Sequence, residues 1–373
     1  MRIGIDGREL LNKRTGVGRY LAELCSQFLE SPRAGQHEFV VYTPEAGTNP
    51  SVLGPPFAGR SSVRFVHRSV PGSAGTWWEQ VDLVAAINRD RLDVFFAPAY
   101  SRPLRLHVPC VVTMHDISFM AHPEWFGWRE GFRRRWLAHQ SMLRARAIIS
   151  DSIFTRAETL RCFNVPADRL RVVYPGVTPR LSEPSDSGSD PLILFVGSIF
   201  NRRHLPTLVR AFSLVRRQFP NARLTVVGDN RTHPPQDLPS LLRQSGTEDC
   251  VSLLSYVSDQ ALDDLYRRAR VFAFLSEYEG FGLTPLEAMS AGVPVVVADT
   301  PVARELYGDA ARFVPIADAR ATAAAIITLL ADQDVRDLQR RRATEQVRRY
   351  TWARAAEATL DVLESAVSAR SGT

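Results

Sequence analysis

Four side chains in the second half of the sequence could do chemistry together. Two are carboxylates, Glu279 and Glu287, at the ends of "EGFGLTPLE". Two are guanidiniums, Arg202 and Arg203, in "GSIFNRRHLPTLVRAF". Arginine presents forked N–H donors that match phosphate oxygens. Before a helix, two cations oppose the positive end of the helix dipole unless an anion joins them. The pair therefore reads either as a diphosphate site or as a solvated charge pair. Gly197 and Ser198 leave the end of the preceding strand uncluttered. The glycines of "EGFGLT" bring backbone close to a helix start, where the N–H groups of Gly282, Leu283 and Thr284 favour an anion. Glu279, being negative, suits sugar hydroxyls better than phosphate. Glu287 has two readings. It could bond a ribose, or it could complete a capping box with Thr284 as N-cap and Pro285 as the first helical residue.

The first half offers fewer reactive groups. "CVVTMHDIS" sets His115 and Asp116 just past an apolar run. A lone histidine is more often structural, but ligands of open parallel sheets gather at strand carboxyl ends. Asp116 could orient His115 or an acceptor hydroxyl. "RTGVGRYLAEL" carries Gly16 and Gly18 but is no dinucleotide fingerprint, because Leu21 stands where a third glycine belongs. Residues 125–136 mix aromatics with arginines. They read as a peripheral contact with an anionic membrane or as an amphipathic helix burying Phe132 and Trp136, and the second reading is favoured. The "DQD" string at 332–334 reads as a helix boundary, and no metal site is expected.

These groups need elements to hold them. Apolar runs at 2–6, 39–43, 63–66, 93–97, 110–114 and 147–150 read as strands, with helices at 17–30, 79–89 and 153–162 between them. After a polar Ser/Asp/Pro stretch the alternation restarts, with strands at 192–197, 223–228, 251–254, 271–275 and 294–298. Continuous apolar strands alternating with helices imply parallel sheets buried on both faces. The expected fold is α/β, with two Rossmann-like doubly wound domains facing a cleft. The expected organisation is a first domain at 1–180, a linker at 181–191, a second domain at 192–350, and a final helix in 351–373 that either extends the second domain or crosses back to the first.

Bulk properties narrow the class. A chain of 373 residues is long for one core, and a charge of +6 is modest but suits an anionic ligand or surface. Cys25, Cys110, Cys162 and Cys250 are scattered without metal or redox spacing, which suits a reducing compartment. "MRIGID" reads as a strand rather than a leader, and no apolar run is long enough to span a bilayer. The expected location is cytoplasmic, or the inner face of the cytoplasmic membrane, with no nucleic-acid partner.

The sequence resembles the family 4 retaining glycosyltransferases of the GT-B type. "EGFGLTPLE" resembles the family's E-x7-E signature, with Glu279 and Glu287 at the two acids. "FNRRHLPTLVRAF" resembles its Arg-Lys-Asn loop, with Arg203 in place of Lys and His204 in place of Asn. The resemblance covers nearly the whole chain. It implies a nucleotide-sugar donor, a glycan or lipid-linked acceptor, and transfer without a cofactor or metal. It places His115 on the transferred sugar, and Gly16 and Gly18 near the donor diphosphate and the acceptor. It gives the diphosphate to Arg202, Arg203 and the Gly282 and Leu283 N–H groups. The base would be read near residues 255–258, around Val257. The general look favours mannosyl transfer from GDP-mannose in surface-polysaccharide assembly, with UDP-linked glucose or N-acetylhexosamine as alternatives. A non-catalytic sugar-nucleotide binder is a further alternative. Phosphorylases of similar architecture carry pyridoxal phosphate on a lysine, and Lys13 is the single lysine here. Epimerases of sugar nucleotides would lack the paired acids.

Overall fold

The computed structural model describes residues 1–11, 16–45, 63–180 and 190–368. Lys13 and residues 181–189 of the expected linker lie outside the described residues. The chain forms two compact units. One comprises Met1–Pro123, Trp128–Gly176 and Thr351–Thr373, and the other Glu124–Gly127 and Val177–Tyr350.

Among the described residues the first unit has seven strands: β1 (Arg2–Asp6), β2 (Glu38–Pro44), β3 (Arg64–Val70), β4 (Val94–Ala97), β5 (Cys110–Met114), β6 (Ala147–Ser150) and β7 (Leu170–Val172). They lie in the order β3-β2-β1-β4-β5-β6-β7. The second unit has six: β8 (Leu192–Val196), β9 (Arg223–Val227), β10 (Val251–Leu254), β11 (Ala269–Phe274), β12 (Val295–Ala298) and β13 (Arg312–Val314). Their order is β10-β9-β8-β11-β12-β13. The pairings in both sheets are parallel. In each, strand order reverses beside the unit's first strand, between β1 and β4 and between β8 and β11. Such reversals splay the flanking loops and open a crevice at the strand carboxyl ends.

Residue type explains which strands are easy to see. Central strands such as β5 and β8 are buried along their whole length. The edge strand β3 runs on through His67, Arg68 and Ser69, polar residues that an edge tolerates and that hide its true length in the sequence. The three-residue edge strands β7 and β13 are too short to show a period. The 332–334 string is a helix junction: the Asp332 carboxylate accepts the Val335 N–H at 3.1 Å and caps the helix Gln333–Val347.

The last helix, Trp352–Ser368, packs into the core of the first unit. Ala356, Leu360 and Leu363 meet Ile3, Leu21 and Phe28 there. Its outer acids are tied down by Arg33, whose Nη1 lies 2.7 Å from Asp361 and whose Nη2 lies 2.5 Å from Glu364. Shortening a fully buried core side chain removes transfer free energy and leaves a cavity. Leu360→Ala should therefore lower unfolding stability by about 2–5 kcal/mol in urea denaturation, and a loss below half of that lower bound would show the helix to be peripheral.

Candidate active site

In the second unit the loops after β8 and β11 flank the point where strand order reverses. Arg203 and Glu279 meet there, with Arg203 Nε donating to Glu279 Oε1 at 2.8 Å. Arg203 Nη1 also donates to the Ser198 carbonyl at 2.8 Å. Ser198 thus contributes its backbone rather than its hydroxyl. The guanidinium lies 4.9 Å from the centre of the Phe274 ring, a cation–π contact. Gly197 makes room for it: with φ 139°, a Cβ at this position would stand 2.5 Å from Arg203 Nη1. Ser276 Oγ donates to Glu279 Oε1 at 2.9 Å. Burial alone would raise the Glu279 carboxyl. The charges of Arg203 and Arg202, with hydrogen bonds from Arg203 and Ser276, outweigh it and hold the group below its usual range. Glu279 is therefore a carboxylate at neutral pH. Arg202 is buried, with its guanidinium 4.4 Å from the centre of the Phe200 ring. Its carbonyl accepts the Glu277 N–H at 2.9 Å. His204 Nε2 lies 3.0 Å from Glu277 Oε2, so the histidine links the same two loops.

The helix after this loop corrects the capping-box reading. It spans Leu283–Ser290, and its N-cap is Gly282 at φ 83°, with no side-chain cap. Thr284 is the second helical residue and Pro285 the third. A left-handed glycine turns the chain into the helix two residues earlier than the box requires, and Pro285 still falls in the first turn, where its missing N–H costs nothing. Tyr307 Oη donates to the Gly282 carbonyl at 3.0 Å and stands where a Cβ would fall. The first-turn N–H groups of Leu283 and Thr284 have no intrahelical acceptor. Glu287 is buried away from that turn. Its Oε2 accepts from Tyr266 Oη at 3.4 Å and lies 3.9 Å from Arg180 Nη2. Val257 is half-buried in the loop after β10, with β9 between that strand and β8. It is outside the hydrogen-bonded cluster.

The first unit carries a second constellation. His115 follows β5 and is held at both nitrogens: Nδ1 lies 2.6 Å from Asp151 Oδ2 and Nε2 lies 2.7 Å from the Pro98 carbonyl. Both partners accept, so the ring bears a proton on each nitrogen. Burial alone would lower its pKa. The charge and hydrogen bond of Asp151, the Pro98 carbonyl and the Glu9 charge overcome that and raise it. Tyr20 meets the imidazole edge-on at 4.7 Å. Asp116 does not orient His115. One of its oxygens accepts the Ser118 N–H at 2.5 Å, turning the chain into a short helix. Gly16 is the N-cap of the helix Val17–Glu30, and Gly18 packs on the Glu9 carbonyl, which a Cβ would approach to 2.4 Å.

Two residues of this constellation gave little signal in the sequence. Asp151 lies in "SDSIF", which reads as the start of a helix and nothing more, and only its place at the end of β6, beside β5, brings it to His115. Tyr20 reads as one more core position. The coupling has a measurable sign. Because the folded pKa of His115 is raised, its stabilising contribution is full below the pKa of an unfolded histidine and is lost as pH rises through the folded value. Asp151→Asn should move the His115 titration, followed by NMR, to lower pH. An unchanged titration would show that Asp151 does not hold the proton.

Comparison with known proteins converges on one family. A sequence profile described as Glycosyltransferase Family 4 matches residues 14–181, and one described as Glycosyl transferases group 1 matches residues 179–349. The chain is 31% identical over 294 residues to the O-antigen chain mannosyltransferase B of Escherichia coli, covering 73% of this chain and 74% of that protein. It is 31% identical over 255 residues to a D-inositol 3-phosphate glycosyltransferase of Kineococcus radiotolerans, covering 60% of this chain and 58% of that one. The crystal structure of Anabaena HepE in complex with UDP and glucose superposes with a TM-score of 0.73 at 19% identity, over 98% of this chain and 99% of that one. Each profile falls on one of the two sheets, and the first relative matches nearly three quarters of each chain, so this protein belongs to the family 4 glycosyltransferases and is a glycosyltransferase of the GT-B fold.

Proposed function

We propose that this glycosyltransferase moves a hexosyl unit from a nucleoside diphosphate sugar to a hydroxyl of a glycan or lipid-linked acceptor, with retention at the anomeric carbon. The observation that carries the reading is the Arg203–Glu279 pair at the strand reversal, beside a helix N-terminus. In this reading Arg202, Arg203 and the N–H groups of Gly282 and Leu283 receive the diphosphate. As the bond from the anomeric carbon to phosphate oxygen breaks, negative charge grows on that oxygen, and preset donors stabilise it without reorganising. Each such donor contributes on the order of 3 kcal/mol. The acceptor oxygen bonds the same carbon from the same face, and its proton passes to the leaving phosphate. No metal enters the scheme, since the leaving charge falls to guanidinium and backbone. Glu279 faces the sugar hydroxyls with the oxygen capacity left over from Arg203 and Ser276. His115 serves the transferred sugar as a fixed positive charge, since both of its N–H groups are already given to Asp151 and the Pro98 carbonyl.

The relative named as an O-antigen chain mannosyltransferase supports a mannosyl donor, GDP-mannose, and an acceptor in surface-polysaccharide assembly. The neighbour crystallised with UDP and glucose supports a second reading, a UDP-sugar donor. Thermal-shift titration with GDP, UDP, ADP and their sugars separates the two.

The division of labour is tested by substitution. Glu279→Ala should lower turnover by about 10²–10³-fold while nucleoside diphosphate affinity holds or rises, since an anion beside the phosphate site is removed. Arg203→Ala should lower both. Wild-type turnover in Glu279→Ala would overturn the role given to that acid.

A further inference from the structure

We infer that Glu9 is a binding residue for the acceptor, its carboxylate taking a hydrogen bond from a hydroxyl of the acceptor sugar. The inference rests on the transferase reading and adds a group that recognises the second substrate.

Glu9 lies in the short turn Arg8–Leu10 that follows β1. It stands where strand order reverses between β1 and β4, the place where an open parallel sheet forms its crevice. Arg8 pins the turn. Its Nη2 lies 2.7 Å from Asp6 Oδ2 and donates to Glu79 Oε1 at 2.9 Å, and its Nε donates to Asp6 Oδ1 at 3.0 Å. Glu79 is buried and receives a further bond, from Ser101 Oγ at 2.7 Å. From the other side, Gly18 lets the helix Val17–Glu30 close on the Glu9 carbonyl. Widely separated parts of the chain thus fix the backbone that carries this acid.

The side chain is left incomplete. Glu9 is half-buried, yet among the described residues no donor reaches its carboxylate. Arg8 gives its hydrogen bonds to Asp6 and Glu79 and acts on Glu9 through charge alone. His115 has no N–H left to give, since Asp151 and the Pro98 carbonyl hold both. Burial raises the Glu9 carboxyl. The Arg8 charge opposes this, the Asp6 charge adds to it and the His115 charge opposes it, and the net shift is upward. An acid shifted that way costs stability at neutral pH, so packing does not account for it. A carboxylate only accepts, so a ligand that completes it must bring O–H or N–H groups. A sugar hydroxyl does so, whereas a phosphate would meet like charge. The strands carrying Glu9 and His115 have β4 between them and lie about 10 Å apart. A transferred sugar resting against His115 therefore leaves Glu9 to the next sugar along the crevice, which is the acceptor.

The test is steady-state transfer from radiolabelled GDP-mannose or UDP-glucose to a membrane-lipid and glycan extract of the source cells, with free labelled sugar counted as hydrolysis. Glu9→Ala should raise the apparent KM for the extract by more than about tenfold, because a hydrogen bond to a charged group is lost. The donor KM should stay within about twofold, since a loss confined to the acceptor leaves the donor's contacts in place. The ratio of hydrolysis to transfer should rise with the acceptor KM. Glu9→Gln keeps one accepting oxygen and should fall between Glu9→Ala and the wild type. Both variants should melt no lower than the wild type, because the charge removed is unfavourable in the folded state. A wild-type acceptor KM in Glu9→Ala would overturn the inference. So would a donor KM that rises in parallel, or a lowered melting temperature in both variants, which would mark Glu9 as structural. Absence of transfer by the wild type from either donor would overturn the transferase reading and this inference with it.

Discussion

A guanidinium largely withdrawn from water must be met by acceptors that stay in place, and the second unit is arranged around that requirement at Arg203. Its partners come from two loops far apart in sequence, the Ser198 carbonyl after β8 and Glu279 after β11. The two strands are parallel neighbours, and strand order reverses between them. Gly197 has no side chain because the guanidinium occupies that space. Ser276 supports Glu279 from the same loop. A partly buried charge pair of this kind contributes little net stability, yet breaking it leaves a poorly compensated charge. Its consequence is positional: it fixes a carboxylate and a cation next to the N-terminus of the Leu283–Ser290 helix, where an anion is favoured.

The first unit answers the same physical problem with an imidazolium. His115 stands at the end of β5, and its acceptors come from the adjacent strand ends, Pro98 after β4 and Asp151 after β6. Three consecutive parallel strands thus set one ring. With both nitrogens engaged, the ring cannot rotate without losing a charged hydrogen bond. Pre-organisation of this sort suits a group that acts by orientation and charge rather than by shuttling protons.

Much of the architecture was legible because buried parallel strands declare themselves as unbroken apolar runs. "CVVTM" and "AIIS" coincide with β5 and β6. What stayed hidden had little hydrophobic signal or depended on contacts across the chain. The polar half of β3 and the short edges β7 and β13 belong to the first kind. Asp151 and the pairing of Arg203 with Glu279 belong to the second, since sequence assigned the cation to phosphate and the acid to sugar and could not show that they touch. Thr284 and Glu287 illustrate a local rule overruled. Their spacing fits a capping box, but a left-handed Gly282 starts the helix early, and Glu287 turns toward Tyr266 and Arg180. Phe132 and Trp136 illustrate the opposite failure, where the usual expectation of apolar burial does not hold.

The central claim is that Arg203 and Glu279 act as one unit in transfer. A double-mutant cycle on kcat/KM, using Arg203→Ala, Glu279→Ala and the two together, measures it. If they form a unit, the double variant loses little more than the worse single variant, a coupling of about 1–3 kcal/mol. Losses that simply add would mean that the two side chains serve the reaction separately and that their contact is incidental.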